Sequence, residues 1–445
     1  MSEVIVPFPK SQKLRTPIAQ FFRVGESHRK FGEMYASGQL PASRVVFEAG
    51  RLRTQGSLAR ELKSEGVEIT LDTGAAELSS VARFQTFVRK SPWLPDLPSR
   101  PLGPDDFDRT TVERIAETAI GLGADRVLAP THWLGDPTYT GWLTIDAAAC
   151  VELRLALDRL GGGRIRIDYP VLQSVQGLVD PAATAALAET LANLPVDTIW
   201  MRLSGLGKEP GPQKIRALCR MLERFHNLGK AIVLDYCSGL NAEAALAFGV
   251  VSGIAGGILE LDQFNARDWH KPPNEPDPDA EFGRARIVPL LGLGRGLRAN
   301  EFELLARARG GRKLLLQSDY VSASSVDEMI ANRKQIQALH LVRSQTALQE
   351  VPDLNRAGHF LSKTVTNAER RAKDISFLKP TEAQAASANV DLDSLLRRTR
   401  AHAATLGKVA NALEKLHEER GTNAPRARAC DLNVVVQASR RGDQR

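Results

Sequence analysis

Apolar and polar positions along the chain follow two alternating rhythms. Short β-branched or apolar runs begin near Val45 (VVFEAG), Val67 (VEITLDTG), Arg126 (RVLAPTHW), Arg164 (RIRIDYP), Thr198 (TIWMRLSG), Ala231 (AIVLDYCSG), Val250 (VVSGIAGGI) and Lys313 (KLLLQSDYVS). Most are separated by segments with apolar residues every three or four positions, such as SLARELKSEG, TVERIAETAIGLG and QKIRALCRMLERFHNLG, each stopped by Gly or Pro. Apolar strands alternating with helices predict a parallel sheet. Eight such units over about 290 residues match the size and count of a (β/α)8 TIM barrel rather than an open doubly wound sheet.

The flanks break the rhythm. Residues 1–43, with PFPKSQKLRTP, predict a polar N-terminal arm, and the barrel is expected over 44–335. A long Pro-rich polar stretch between the seventh and eighth runs predicts an insertion near 262–310. From 336 to 421 Ala, Leu, Arg, Glu and Gln dominate, and Leu395, Leu396, Val409, Leu413 and Leu416 form a helical stripe, predicting a helical, basic extension with a tail over 422–445.

Composition narrows the class. The chain opens on no basic-then-apolar leader and carries no apolar run of about 18 residues, so a soluble cytoplasmic protein with no membrane partner is expected. Cys150, Cys219, Cys237 and Cys430 show no CxxC spacing, which argues against a disulfide framework and a cysteine-rich zinc site. Residues 331–445 hold 20 Lys+Arg against 12 Asp+Glu, leaving 39 against 40 in the first 330 of the totals 59 and 52. The positive excess is a property of the C-terminal region. It suggests an anionic partner there, nucleic acid first, with a solvated helical face as the plain alternative.

In a TIM barrel the active site lies at the C-terminal ends of the strands. The strand ends read Glu48, Asp72, His132, Asp168 with Tyr169, Arg202, Asp235, Glu260 with Asp262, and Asp319. A run of titratable groups at that position exceeds what a purely structural barrel needs, although arginine–carboxylate pairs involving Arg202 are expected among them. Several carboxylates around one pocket suit acid–base or nucleophilic work at a sugar carbon without a cofactor, or the holding of a divalent metal such as Mg²⁺. Gly256 and Gly257, in SGIAGGILE, let backbone approach a ligand or simply permit tight packing.

The stretches LDTGAAEL, GIAGGIL and LLLQSDYVS, in that order, resemble the tRNA-guanine transglycosylase family and its relatives that insert deazaguanines into DNA. That resemblance implies a TIM-barrel transferase that exchanges a base through a covalent sugar–enzyme intermediate. It implies Asp72 near the base or as acid–base, Gly256 and Gly257 against the purine, and Asp319 or Asp235 as nucleophile. Asp72 is followed by Thr-Gly-Ala-Ala where the family favours a Ser-Gly-Gly type of turn. Glu48, His132, Asp168, Tyr169 and Arg202 complete the expected substrate-binding set. Two alternatives stand beside this reading: a metal-assisted barrel enzyme on a small anionic substrate, and a non-catalytic barrel that binds nucleic acid or protein through its basic region.

Overall fold

The structure is a computed structural model that describes residues 17–84, 90–94, 96, 98–206, 209–258, 263–266, 269, 286–421 and 424–430. Eight parallel strands close into a barrel in chain order: β1 (Ala19–Arg23), β2 (Arg44–Glu48), β3 (Glu68–Asp72), β4 (Arg126–Leu128), β5 (Arg166–Ser174), β6 (Thr198–Ser204), β7 (Ala231–Asp235) and β8 (Gly253–Gly257). Closure comes where β8 pairs back onto β1, with Ala19 opposite Gly253 and Arg23 opposite Gly257. The barrel helices are α1 (His28–Ala36), α2 (Leu52–Ser64), α3 (Ala75–Leu78), α4 (Arg109–Leu122), α5 (Trp142–Arg159), α6 (Pro181–Asn193), α7 (Pro212–Glu223) and α8 (Gly239–Ala247). Their starts follow capping chemistry. The Asp108 and Asp180 carboxylates accept from the amides of Thr111 and Ala182, and Pro181 and Pro212 open α6 and α7.

Beyond β8 the described chain forms a hairpin, β9 (Ile287–Leu290) and β10 (Arg295–Arg298), turning through Gly292 and Gly294 at φ of 72° and 68°. Helices α9 (Ala299–Arg307), α10 (Gly311–Leu316), α11 (Val326–Ala331), α12 (Arg333–Gln349), α13 (Arg356–His359), α14 (Thr366–Ser376), α15 (Glu382–Ser387) and α16 (Leu392–Arg420) follow. The α16 stripe of Leu395, Val409, Leu413 and Leu416 is buried, and the helix packs on α7 and α14. No helix among the described residues is long and apolar enough to cross a membrane.

Two expectations fail together. The first strand lies inside the stretch expected to be an arm, and the eighth expected strand, at Lys313, is helix α10. The barrel's strands therefore run from Ala19 to Gly257, not from residue 44 to 335. The strand AQFFR is short, carries Gln20 and ends on Arg23 before Val-Gly-Glu, so its apolar signal rests on Ala19, Phe21 and Phe22. The run GRKLLL holds three leucines, which are good helix formers, behind Gly310 at φ of 81°.

The barrel interior is layered. Phe21, Val46, Leu128, Trp200, Val233 and Ala255 fill the middle. At the N-terminal end Arg126 Nε binds Glu68 at 2.8 Å and its Nη1 binds Asp168 at 2.8 Å, with Arg44 alongside Glu68 at 3.5 Å. That end is covered by the chain's own residues 424–430. The Ala427 amide donates to the Gly249 carbonyl at 2.8 Å, Arg428 Nη1 donates to the Gly229 carbonyl at 2.8 Å, and Cys430 joins the interior cluster.

Candidate active site at the barrel mouth

The C-terminal ends of β1, β3, β6 and β7 bring four buried charges together. Arg23 grips Asp235 with two bonds, Nε to Oδ1 and Nη2 to Oδ2, both 2.7 Å, and its Nη1 donates to Asp72 Oδ2 at 2.8 Å. Arg202 completes the ring, Nε to Asp235 Oδ2 at 2.6 Å and Nη2 to Asp72 Oδ2 at 2.5 Å. The other Asp72 oxygen accepts the Gly74 amide at 3.1 Å. Two cations and two anions cancel, and the side chains are at most 5% exposed. Burial alone would raise the Asp72 carboxyl, but Arg202 and Arg23 outweigh it and hold it at about 2, so it is ionised at neutral pH.

Tyr236 covers this tetrad. Its ring lies 4.3 Å from the Arg23 guanidinium and 5.3 Å from that of Arg202, and its hydroxyl accepts from Arg23 Nη1 at 3.3 Å. Its backbone sits at φ of 54°, a left-handed conformation unfavourable for an aromatic residue, and is held there by its amide's bond to the Ala255 carbonyl. Phe264 packs on Tyr236 at 5.8 Å between centroids and on Trp133 at 6.3 Å, so an aromatic wall leads outward from the tetrad. Beyond it a cleft of about 1360 Å³ opens along the ends of β5 and β6.

A carboxyl not singled out in the sequence joins the mouth. Glu77, on the short α3 just after β3, has Oε2 shielded from solvent and without a hydrogen-bond partner. Burial raises its pKa above the ordinary value; Arg202 opposes the rise, while the nearby charges of Asp72 and Glu48 add to it. Glu48 itself is bound by Arg51 Nε at 2.6 Å and remains about a quarter exposed. The mouth thus sets a carboxyl whose pKa burial raises close to Asp72, which the two arginines hold ionised.

Other expected site residues go elsewhere. Asp168 belongs to the opposite end of the barrel, where Arg126 and Trp200 Nε1 bind it, because it sits early in the nine-residue β5 rather than at its end. Tyr169, one residue on, packs in the layer between strands and helices, so neither reaches the mouth. His132 is buried. Its Nδ1 and its backbone amide bind the two Asp146 oxygens at 2.6 and 2.9 Å, and its ring stacks on Trp142 at 3.8 Å. Gly256 and Gly257 end β8 opposite Phe22 and Arg23 and border a small cavity with Ser238 and Gln345. Asp319, expected at a strand end, follows α10 outside the barrel, accepts from Asn367 Nδ2 at 3.0 Å and lines a separate pocket with Gln39 and Arg343. Glu260 and Asp262 lie outside the described residues.

Arg23 and Tyr236 were also missed. The first is on the unrecognised β1; the second carries a signal only in its neighbour, since Asp235 ends a wholly buried strand. The basic C-terminal region proves partly structural: Arg371 binds the Leu314 and Leu291 carbonyls, Arg398 binds Glu301, and Arg420 binds Glu223. Neither a scan against models of known protein families nor a search of curated proteins finds a match to this chain.

Proposed function

We propose that the chain is a TIM-barrel enzyme that cleaves or exchanges a glycosidic bond to a nucleobase at this mouth, without a metal in the reacting step. The observation that carries the reading is Glu77: a carboxyl with a shielded, unpartnered oxygen and a raised pKa, set beside Glu48 and the Arg–Asp tetrad. Glycosidic chemistry needs one protonated carboxyl and one ionised carboxylate around the same bond. Glu77 supplies the proton. As the bond between the sugar carbon and the base nitrogen breaks, its electron pair leaves with the base, and the Glu77 proton neutralises that nitrogen. Glu48 faces the positive charge developing on the sugar. An incoming base or water then bonds to the sugar carbon and returns a proton to Glu77.

Asp72 and Asp235 take a supporting part. Their oxygens are committed to two guanidinium groups, which leaves them poor nucleophiles and poor ligands for a divalent cation. They fix Arg202, whose charge keeps Glu77 within reach of ionisation. The resemblance to base-exchanging transglycosylases supports the reaction class, with the acid–base role moved from Asp72 to Glu77.

The test is incorporation or release of a labelled purine or deazapurine base with DNA and with RNA, on wild type and Glu77→Gln. Turnover in the wild type and a loss of about a hundredfold or more in the variant are expected. Turnover by Glu77→Gln at the wild-type rate, or none by wild type on either nucleic acid, would overturn the proposal.

A further inference from the structure

The cleft beside the mouth is walled by parts of the chain that are far apart in sequence. Trp133, from the loop after β4, and Phe264 form its inner wall, Ser174 and Ser204 end the two strands beneath it, Lys214 comes from the first turn of α7, and Lys408 comes from α16. Among the described residues its lining holds two lysines and no carboxylate. That bias contrasts with the pocket around Asp319, which also holds Glu328. The cleft's volume, about 1360 Å³, exceeds the roughly 300–1,000 Å³ typical of a small-molecule site.

We infer that this cleft is the track for a single nucleic-acid strand, with Lys214 and Lys408 on its phosphates and the Trp133–Phe264 wall against a base. Cations along one side and aromatic faces on the other are how sequence-tolerant single-strand sites are built. The aromatic wall continues through Phe264 to Tyr236 over the tetrad, so a strand in the cleft delivers one nucleotide to Glu77. This destination rests on the function proposed above; the binding itself does not. The helical extension is then part of the substrate site. Lys408 is an exposed side chain on a helix whose opposite face is buried against α7 and α14, and no salt bridge ties it down among the described residues. Lys214 is held over the cleft by donating to the Leu206 carbonyl at 3.2 Å, a neutral partner that leaves its charge available.

The experiment is fluorescence anisotropy of a labelled 20-nucleotide single strand, as DNA and as RNA, against full-length protein across a salt series. Wild type, Lys214→Ala, Lys408→Ala and Lys379→Ala are compared, the last removing an exposed lysine away from the cleft. Each cleft lysine should weaken binding roughly three- to tenfold and flatten the slope of log K against log salt by about 0.7, the value for one single-strand phosphate contact. Lys379→Ala should bind as wild type does. Lys408→Ala removes an exposed side chain and Lys214→Ala a half-buried one that donates to the Leu206 carbonyl, so melting temperatures within about a degree of wild type for both cleft variants show that a binding loss is not a loss of fold. The inference fails if wild type binds neither strand, or if Lys214→Ala and Lys408→Ala bind no worse than Lys379→Ala. Normal binding with an inactive active-site reading would sink only the proposed function, and base exchange without a lysine effect would sink only the track.

Discussion

Asp72→Asn separates a structural carboxylate from a catalytic one. A positioned acid or base replaced by its amide leaves stability unchanged or improved, because an uncomfortable charge has gone. Asp72 should behave in the opposite way. Its Oδ2 is the meeting point of Arg23 at 2.8 Å and Arg202 at 2.5 Å, and all three side chains are at most 5% exposed. Removing the charge turns a neutral square into a buried excess of one cation. Breaking a buried ion pair by deleting one partner costs about 3–5 kcal/mol. At about 2–4 °C per kcal/mol for a domain of 150–250 residues, the melting temperature should fall by roughly 6–20 °C.

The pH dependence follows the same carboxylate. Its folded pKa of about 2 lies below the ordinary value of 3.8, so its contribution is fully present above pH ~4 and is lost as pH falls towards 2. That difference corresponds to roughly 2–3 kcal/mol. Thermal melts of wild type and Asp72→Asn between pH 2 and pH 7 should therefore converge at the acid end. A second variant, Asp72→Asn with Arg202→Met, restores neutrality and should recover much of the loss. A melting temperature for Asp72→Asn within two degrees of wild type at pH 7 would refute the reasoning and return Asp72 to the list of catalytic candidates.

Three further outcomes are expected. Glu77 is the reverse case: its raised folded pKa makes stability fall as pH rises past its ordinary 4.5, so Glu77→Gln should melt higher than wild type at pH 7–8 and equally at pH 4. Gly253→Ala places a Cβ 2.8 Å from both Ala19 Cβ and the Ala19 carbonyl at the seam that closes the barrel, and a chemical denaturation curve should show a loss of about 1–3 kcal/mol. Asp319→Asn should leave base exchange unchanged, since Asp319 lies outside the barrel; a rate loss of tenfold or more would show that its pocket feeds the reaction.

The barrel was legible because burial acts on every strand in the same way. Strands such as AIVLD are buried at every position, so hydrophobicity alone marks them. The ends of the barrel were harder. AQFFR is only five residues long and ends on an arginine whose acceptance into the interior depends on Asp235, 212 positions away. A local pattern cannot show that compensation. The arginine–carboxylate pairing expected of Arg202 does include Asp72, since a carboxylate ending a buried strand needs a partner. Asp168 was misplaced because reading the strand end from the edge of an apolar run fails when the strand continues through YPVLQS, with a proline inside it. Glu77 was passed over because it follows the strand by five residues, on a helical turn rather than a strand end.

The two ends of the barrel make the case for where chemistry belongs. Each carries a cluster of buried arginines and carboxylates, so buried charge by itself distinguishes nothing. At the N-terminal end Glu68 and Asp168 both bind Arg126, and residues 424–430 cover the cluster from solvent. That is how a structural network is finished: charges matched, access closed. The C-terminal end is finished differently. Its tetrad is matched, but Glu77 beside it keeps an oxygen without a partner, Tyr236 is held in an unfavourable backbone conformation above it, and an aromatic wall leads to an open cleft with two lysines. An unmatched acid, a strained backbone and solvent access each cost stability, and their meeting at this end is the observation on which the proposed function rests.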